Sequence, residues 1–292
     1  MKLSVIIPCF NAASTIAVQL EALAKQRWHE PWEVVVADNG STDESVTIVE
    51  RYKARIPNLR VADASARRGQ PYALNVGAMA ATGEALAFCD ADDEVAPGWV
   101  AAIGEALSKY DFVACRIDGA NVNAPWLEKI SRNHPQRTGL QKASYPPYLP
   151  HAGGGTLGVK RSLHEAIGGF DESLPYLHDT DYCFSLQLAG VKLRFVSDAV
   201  IHIRYRDNLS GFFYQACHYA EYRVLVYKKY RPSNNRELWR WRVYLNGWKK
   251  LLWSLSQLRS EVGRAVWLWE LGSQIGSLKG SIKYRVSPVS DH

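Results

Sequence analysis

The sequence predicts an α/β fold, a mainly parallel sheet flanked by helices, with a C-terminal helical extension. Three observations predict it. Short apolar runs alternate with helix-patterned stretches through residues 1–115, the rhythm of right-handed βαβ units on a parallel sheet. At 292 residues the chain has room for roughly two domains of ~150 residues each. Its last quarter differs in character. Residues 223–285 hold 14 Lys+Arg against 3 Asp+Glu, whereas residues 1–222 hold 21 against 25, and the last quarter carries six of the ten tryptophans.

Leu3–Pro8 is an apolar run of the kind buried on both faces in a parallel sheet, and a helical pattern follows from Ser14 to Lys25. Glu33–Ala37 is the second strand. Ser41-Thr42-Asp43 offers N-cap chemistry for a helix that runs to Arg55 and is ended by Pro57. Leu59–Ala62 is the third strand, and Tyr72–Ala81 a helix closed by Gly83. Ala85–Cys89, a helix over Pro97–Ser108 and Phe112–Cys115 complete this series. Residues 119–156 are rich in Asn, Pro, Tyr and Gly without a clear period, which marks a functional loop region. Regular signals return at Val159–Ile167, Asp179–Leu188, Leu193–Val196 and Val200–Ile201. The pattern is helical from Ser210 to Tyr230 and from Glu237 to Lys283.

An apolar content of 47% with 22% charged residues excludes disordered, collagen-like and disulfide-scaffold classes. No apolar run reaches the ~18 residues of a membrane span. The five cysteines show no CxxC or Cys/His metal spacing, so they read as buried, reduced thiols of a cytosolic protein.

In open α/β sheets ligands bind beyond the carboxyl ends of the strands. Those ends carry Pro8 and Asn11, then Asp38-Asn39-Gly40-Ser41, then Arg68-Gly69 with Asn75, then Asp90-Ala91-Asp92-Asp93. Each alone reads as a turn; together they outline one crevice. Three carboxylates within four residues repel one another, and a hard divalent cation bridging to substrate phosphates relieves that repulsion.

These residues resemble the family 2 glycosyltransferases of the GT-A fold. The likeness runs through Ser4-Val5-Ile6-Ile7-Pro8-x-x-Asn11, Asp38–Asp43, Gly69, Asn75 and Asp90-x-Asp92-Asp93. It continues in Gly153-Gly154-Gly155, Gly168-Gly169-Phe170-Asp171-Glu172 and His178-Asp179-Thr180-Asp181-Tyr182-Cys183, and covers about residues 1–205. The resemblance implies inverting transfer of a sugar from a nucleotide-diphosphate donor to a hydroxyl of a glycan or lipid-linked acceptor, assisted by Mn²⁺ or Mg²⁺. It implies that residues 1–118 bind the nucleotide-sugar, that 119–222 form the acceptor-binding and catalytic half, and that 223–292 are an extension.

The resemblance also assigns roles. Pro8 and Asn11 match positions lining the nucleotide pocket, Asp38 the carboxylate that meets the base, and Gly69 the backbone passing the nucleotide. Asn75 matches a donor-binding position. Asp90 and Asp92 match the acidic pair that meets the ribose and the metal-bridged diphosphate, with Asp93 the next acidic position. Asp92 and His202 are the expected metal ligands, and Arg204 the expected contact to the diphosphate, with Arg206 on an alternate position beyond it. Gly153, Gly154 and Gly155 match a segment beside the acceptor, where missing side chains let backbone approach substrate. Asp179 matches the general base that takes the acceptor's proton. Two positions depart from the pattern. His178 stands where the family usually has Glu, and Leu74 where many members have Arg, so one donor contact is either missing or supplied by Arg67 or Arg68.

Trp241, Leu245, Trp248, Leu252 and Leu255 recur at spacings of four and three, one helical face, with Arg240, Arg242, Lys249 and Lys250 on others. Gly272, Gly276 and Gly280 form a stripe for close helix packing. Basic charge with Trp on an amphipathic helix predicts a peripheral contact at the inner face of the membrane; the competing expectation is packing on the catalytic body or self-association into a homo-oligomer. No nucleic-acid module is visible. A nucleotidyltransferase would show a glycine-rich, Arg-containing segment after the first strand, where Pro8-Cys9-Phe10-Asn11 stands. A dinucleotide oxidoreductase would show Gly-x-Gly-x-x-Gly there. A processive synthase would carry Gln-x-x-Arg-Trp, and a non-catalytic membrane scaffold would lack Asp179 or the acidic cluster.

Overall fold

The computed structural model describes residues 1–56, 58–232 and 238–289; Pro57 and Glu237 of the sequence reading lie outside them. The elements run β1 (Leu3–Cys9), α1 (Ile16–Ala24), β2 (Trp32–Asp38), α2 (Ser45–Tyr52), β3 (Leu59–Asp63), α3 (Gln70–Ala80), β4 (Ala85–Phe88), β5 (Glu94–Val95), α4 (Trp99–Lys109) and β6 (Phe112–Asp118). Then come α5 (Pro125–Ser131), β7 (Gln141–Lys142), β8 (Pro150–His151), β9 (Leu157–Lys160), α6 (Arg161–Ala166), α7 (His178–Leu188), β10 (Leu193–His202), α8 (Leu209–Tyr230), α9 (Leu238–Trp253) and α10 (Glu261–Tyr284). They form two compact units. The first joins Met1–Val122, Arg132–Gln141 and Pro150–Arg204; the second joins Asn123–Ser131, Lys142–Leu149 and the chain from Tyr205 onward.

The first unit is built on an eight-stranded sheet in the order β3-β2-β1-β4-β9-β6-β10-β5. The expected mainly parallel sheet is present. β1 pairs in parallel with β2 and β4, β2 with β3, and β10 with β6. Two antiparallel strands complete it, β9 between β4 and β6, and β5 on the edge against β10. The runs Leu193–Val196 and Val200–Ile201, separate in sequence pattern, are one strand whose register against β6 shifts between Val196 and Val200.

Alternate residues of each strand face opposite sides. Leu3, Val5, Ile7 and Cys9 of β1 and Val34 and Val36 of β2 pack with Ile16, Leu20 and Leu23 of α1, Val49 of α2 and Trp99, Ile103 and Leu107 of α4. Ile6 and Val35 face the other way, with Leu74 and Ala78 of α3 and Tyr182 and Leu186 of α7. Both faces are therefore covered, which is why the strands read as continuous apolar runs. α2 begins at Ser45, later than the Ser41-Thr42-Asp43 cap expected; Asp43 Oδ1 still accepts from the Ser45 backbone N–H at 3.0 Å.

In the second unit α10 lies along α8, and the glycine stripe lets it approach. A Cβ on Gly276 would stand 2.1 Å from the Cys217 carbonyl oxygen, and one on Gly272 2.5 Å from that of Phe213. Glu221 of α8, 4% exposed, meets Lys279 at 3.0 Å and Lys283 at 2.6 Å of α10, and these cations hold its carboxyl below the usual carboxylate range against the opposing effect of burial. The helical stretch expected through Lys283 is broken by a 3₁₀ turn at Leu255–Arg259. Cys9, Cys89, Cys115 and Cys183 are buried free thiols, while Cys217 is half-buried.

Candidate functional site

The carboxyl ends of β1, β2 and β4 lie side by side because these strands are parallel neighbours; Cys9 stands opposite Asp38 in the register. Asn11, in left-handed conformation (φ 48°), accepts from the Thr42 N–H at 2.8 Å and donates its own N–H to Ser41 Oγ at 3.1 Å. Asp38 takes the Ser41 N–H at 3.2 Å, so Pro8, Asn11 and Asp38 form one rim. Burial pushes the neighbouring Cys9 thiol up to about 11, keeping it protonated at neutral pH.

Asn39, 5% exposed, pins the next loop. Its amide donates to the Ala64 and Arg67 carbonyls at 2.6 and 2.7 Å and accepts from the Gly69 N–H at 2.9 Å. Gly69 sits at φ 138°, a conformation that requires glycine. Arg68 donates to the Asn39 carbonyl at 2.6 Å and lies 4.2 Å over the exposed Phe10 ring, while Arg67 pairs with Glu172 at 2.8 Å. Gln70, at the start of α3, donates to Asp90 Oδ1 at 2.8 Å.

The acidic cluster follows β4. Oxygens of Asp90, Asp92 and Asp93 lie within 4.8 Å of one another, with Asp93 buried and the other two half-buried. Burial raises the Asp90 carboxyl to about 7, with the charges of Asp92 and Asp179 adding to the effect and the Gln70 bond opposing it. Burial likewise pushes Asp93 well up, against the bond that its Oδ1 accepts from the Arg204 N–H at 2.9 Å. Converging oxygens whose negative charge is opposed by burial and by like neighbours fit a hard dication such as Mn²⁺ or Mg²⁺. Gln19 of α1 braces this turn, donating to the Asp90 carbonyl at 3.1 Å and accepting from the Val95 N–H at 2.9 Å.

Asp179 arrives from the other half of the unit. It lies in the first turn of α7, where the helix dipole favours a carboxylate. Its Oδ2 accepts the Gly154 N–H at 2.9 Å and its Oδ1 the Thr180 N–H at 2.7 Å. A Cβ on Gly155 would stand 2.7 Å from Asp90 Oδ2, so the glycine segment runs between Asp179 and Asp90. Gln136, fully buried, fixes that segment. Its oxygen accepts from Gly153 N–H at 3.0 Å and from Gln141, and its nitrogen donates to Thr156 and the Cys115 carbonyl. His178, 6% exposed, packs edge-on to Phe170 and has no hydrogen-bond partner on either ring nitrogen; burial lowers its pKa and favours the neutral ring.

The structure thus brings Pro8, Asn11, Asp38, Gly69, Asp90, Asp92, Gly153, Gly154, Gly155 and Asp179 around linked strand ends and loops. Three expected residues are placed differently. The Asn75 amide is engaged with the Phe170 backbone, donating at 2.9 Å and accepting at 2.8 Å, and donates to Glu172 at 3.0 Å. The group that includes Asp92 contains Asp90 and Asp93 and not His202; His202 Nε2 lies 3.4 Å from the Asn121 amide and its Nδ1 is buried without a partner. The Arg204 guanidinium donates to the Asp92 and Val122 carbonyls at 3.0 and 2.9 Å, fastening the acidic turn through its backbone. Sequence reasoning missed Gln19, Gln70 and Gln136. Only Gln70, beside Gly69, had a local signal.

Residues 4–168 match the family model "Glycosyl transferase family 2". The chain is 38% identical over 125 residues to "Uncharacterized glycosyltransferase YibD" of Escherichia coli K12, an alignment covering 43% of this chain and 34% of that relative. The chain therefore spans about a third of that relative's length. The mannosyltransferase PcManGT from Pyrobaculum calidifontis, solved with GDP-Man and Mn²⁺, superposes with a TM-score of 0.67 at 20% identity, over 95% of this chain and 86% of that one. Staphylococcus aureus TarS 1-349, solved with UDP-GlcNAc, superposes with a TM-score of 0.57 at 20% identity, over 98% and 93%. At this identity the two solved structures are likenesses of fold.

Proposed function

The chain belongs to glycosyl transferase family 2, and from that membership we propose that it moves a sugar, with inversion, from a nucleotide diphosphate to a hydroxyl of a glycan or lipid-linked acceptor. The observation that carries this reading is the meeting of Asp179 and Asp90 across Gly154-Gly155. It gives one crevice a carboxylate for the acceptor's proton and an acidic cluster for the donor's phosphates.

Asn11, Asp38 and Gly69 line the nucleotide side, with Arg68 and Phe10 stacked at its rim. Asp90, Asp92 and Asp93 are the residues that would hold Mn²⁺ or Mg²⁺; the bound ion supplies positive charge to the leaving diphosphate. In this reading Asp179 takes the proton of the acceptor hydroxyl as it attacks the anomeric carbon, and the two backbone N–H groups on its oxygens hold the carboxylate in one orientation. The glycine segment leaves backbone, and no side chain, between that base and the donor side. Residues 1–118 serve the donor and 119–222 the acceptor in this reading.

The test is a donor screen. UDP- and GDP-sugars are incubated with the full chain and Mn²⁺, Mg²⁺ or a chelator, and nucleotide release is measured with wild type and Asp92→Ala. Metal-dependent release from one sugar class, lost in Asp92→Ala, is the expected result. Release that is unchanged by the chelator and by the substitution overturns the metal assignment, and no release from any nucleotide sugar overturns the donor assignment.

A further inference from the structure

α9 divides its surface sharply. Tyr244, Gly247 and Leu251 turn inward, as does Arg240, which lies over the Tyr227 ring at 4.4 Å. Trp241, Leu245 and Leu252, with Leu255 just beyond, stand exposed, and Trp253 at the helix end is 89% exposed. The tryptophans of this quarter are therefore sorted. Trp267 of α10 donates its Nε1–H to the Leu251 carbonyl at 3.0 Å, and Trp269 packs against Phe212 and Tyr219. On α9, Trp239, Trp241 and Trp253 are exposed, whereas Trp248, expected on the same apolar face, is half-buried and stands edge-on to Tyr244.

Charge follows the same division. Between Leu238 and Ser260 there is no carboxylate, and Arg242, Lys249, Lys250 and Arg259 are all exposed. Arg242 follows Trp241 and Lys249 follows the half-buried Trp248, so each sits ~100° round the helix from a tryptophan, on the flank of the strip. Long basic side chains on such a flank can bury their aliphatic stems against apolar surface while the charges stay wet.

We propose that this face of α9 and the following turn docks on an anionic lipid bilayer, with Trp241, Leu245, Leu252 and Trp253 at headgroup depth and the four cations against lipid phosphates. The proposal is independent of which sugar the protein transfers. An apolar strip flanked by cations, with aromatic rings on it, is the pattern of a helix lying in the bilayer interface. A second copy is a poorer occupant. A two-fold contact through this patch would set an acid-free basic surface against itself. No helix among the described residues is long and apolar enough to cross a membrane, so the contact is peripheral.

Flotation of the full chain with vesicles tests this, using phosphatidylcholine alone and phosphatidylcholine with phosphatidylglycerol. Wild type is expected to float with the anionic vesicles at low salt and to remain at the bottom with neutral ones. Lys249→Glu with Lys250→Glu should weaken partitioning about 30-fold or more, and Leu252→Ser with Trp253→Ser about tenfold or more. All four positions are exposed, and unchanged circular-dichroism melting checks that both variants fold. Wild type that does not float with anionic vesicles at low salt overturns the proposal. So do folded variants that float as wild type does, and so does light scattering that finds a dimer abolished by the Leu252 and Trp253 changes without any flotation.

Discussion

Gly154 donates its backbone N–H to Asp179 Oδ2 at 2.9 Å, and the next residue, Gly155, lies so close to Asp90 that a Cβ there would stand 2.7 Å from its carboxylate. Two consecutive glycines thus set the spacing between the proposed base and the proposed donor-side acid. A Cβ on Gly154 would stand 3.3 Å from that of Asp179, so a side chain at either position would press on one of the two carboxylates.

Asp179→Asn removes the proton acceptor at little change in size. The amide keeps one acceptor oxygen, so it cannot serve both N–H groups that now meet the carboxylate. Donor affinity by calorimetry should be unchanged, while transfer falls by about 10²–10⁴. A loss below about tenfold would place the base on another residue.

Gly155→Ala should weaken both folding and donor binding. The new methyl group forces Asp90 aside, costing about 1–3 kcal/mol of stability and weakening Mn²⁺-dependent donor binding. Gly153→Ala is the control, because its nearest neighbour is Gln136 Oε1 at 4.0 Å. Melting temperature and donor titration of both variants check the contrast; equal behaviour would refute it.

The acidic cluster gives the metal-free protein a distinctive pH response. Asp90 has a native pKa of about 7 against 3.8 for the free side chain. Between those values the native state binds more protons than the unfolded state, so this group's contribution falls as pH rises and is least favourable above 7. Buried His134 and His164, lowered to about 4, act with the opposite sign, adding stability as pH rises to about 6.5. The readout is therefore the difference between wild type and Asp90→Asn in chelator. That difference should grow in the variant's favour from pH 4 to 7, and shrink when Mn²⁺ is added. A flat difference across this range would contradict the assigned shift.

Gln136→Leu tests the support of the glycine segment. It leaves the Gly153 N–H and the Cys115 carbonyl without the partners they have in the buried interior, at a cost of about 2–4 kcal/mol. Chemical denaturation should show that loss, and transfer should fall with it as the Gly154–Asp179 bond loosens. Gln136→Glu, which retains an acceptor for Gly153, should recover part of the rate.

The acidic cluster was legible in sequence because its members lie within four residues of one another after a strand, where chain geometry alone keeps them close. The braces were not. Gln19 reaches the Asp90 carbonyl across 71 positions, and Gln136 reaches Gly153 across 17 through a stretch without any period. A lone glutamine has no pattern, since its role is defined by the partners that folding delivers. The same limit explains His202 and Arg204. Sequence places both after the last strand, but the pairing of β10 with β5 and β6 turns the imidazole toward Asn121 and the guanidinium onto the Asp92 backbone.

By itself the sequence determined the alternation of strands and helices, the polar strand ends they create and the positions of Asp90, Asp92, Gly154, Gly155 and Asp179. Period-2 and period-3.6 burial and short-range charge repulsion are local, and a linear chain displays them. Only tertiary structure decided that β9 enters the sheet antiparallel, that Asn75 is taken up by Phe170, and that Trp267 and Trp269 are held within the helical unit while Trp241 and Trp253 stand out. Periodicity shows that a helix has an apolar face, but which face is covered depends on the neighbour that packs against it, and that neighbour is chosen only when the chain folds.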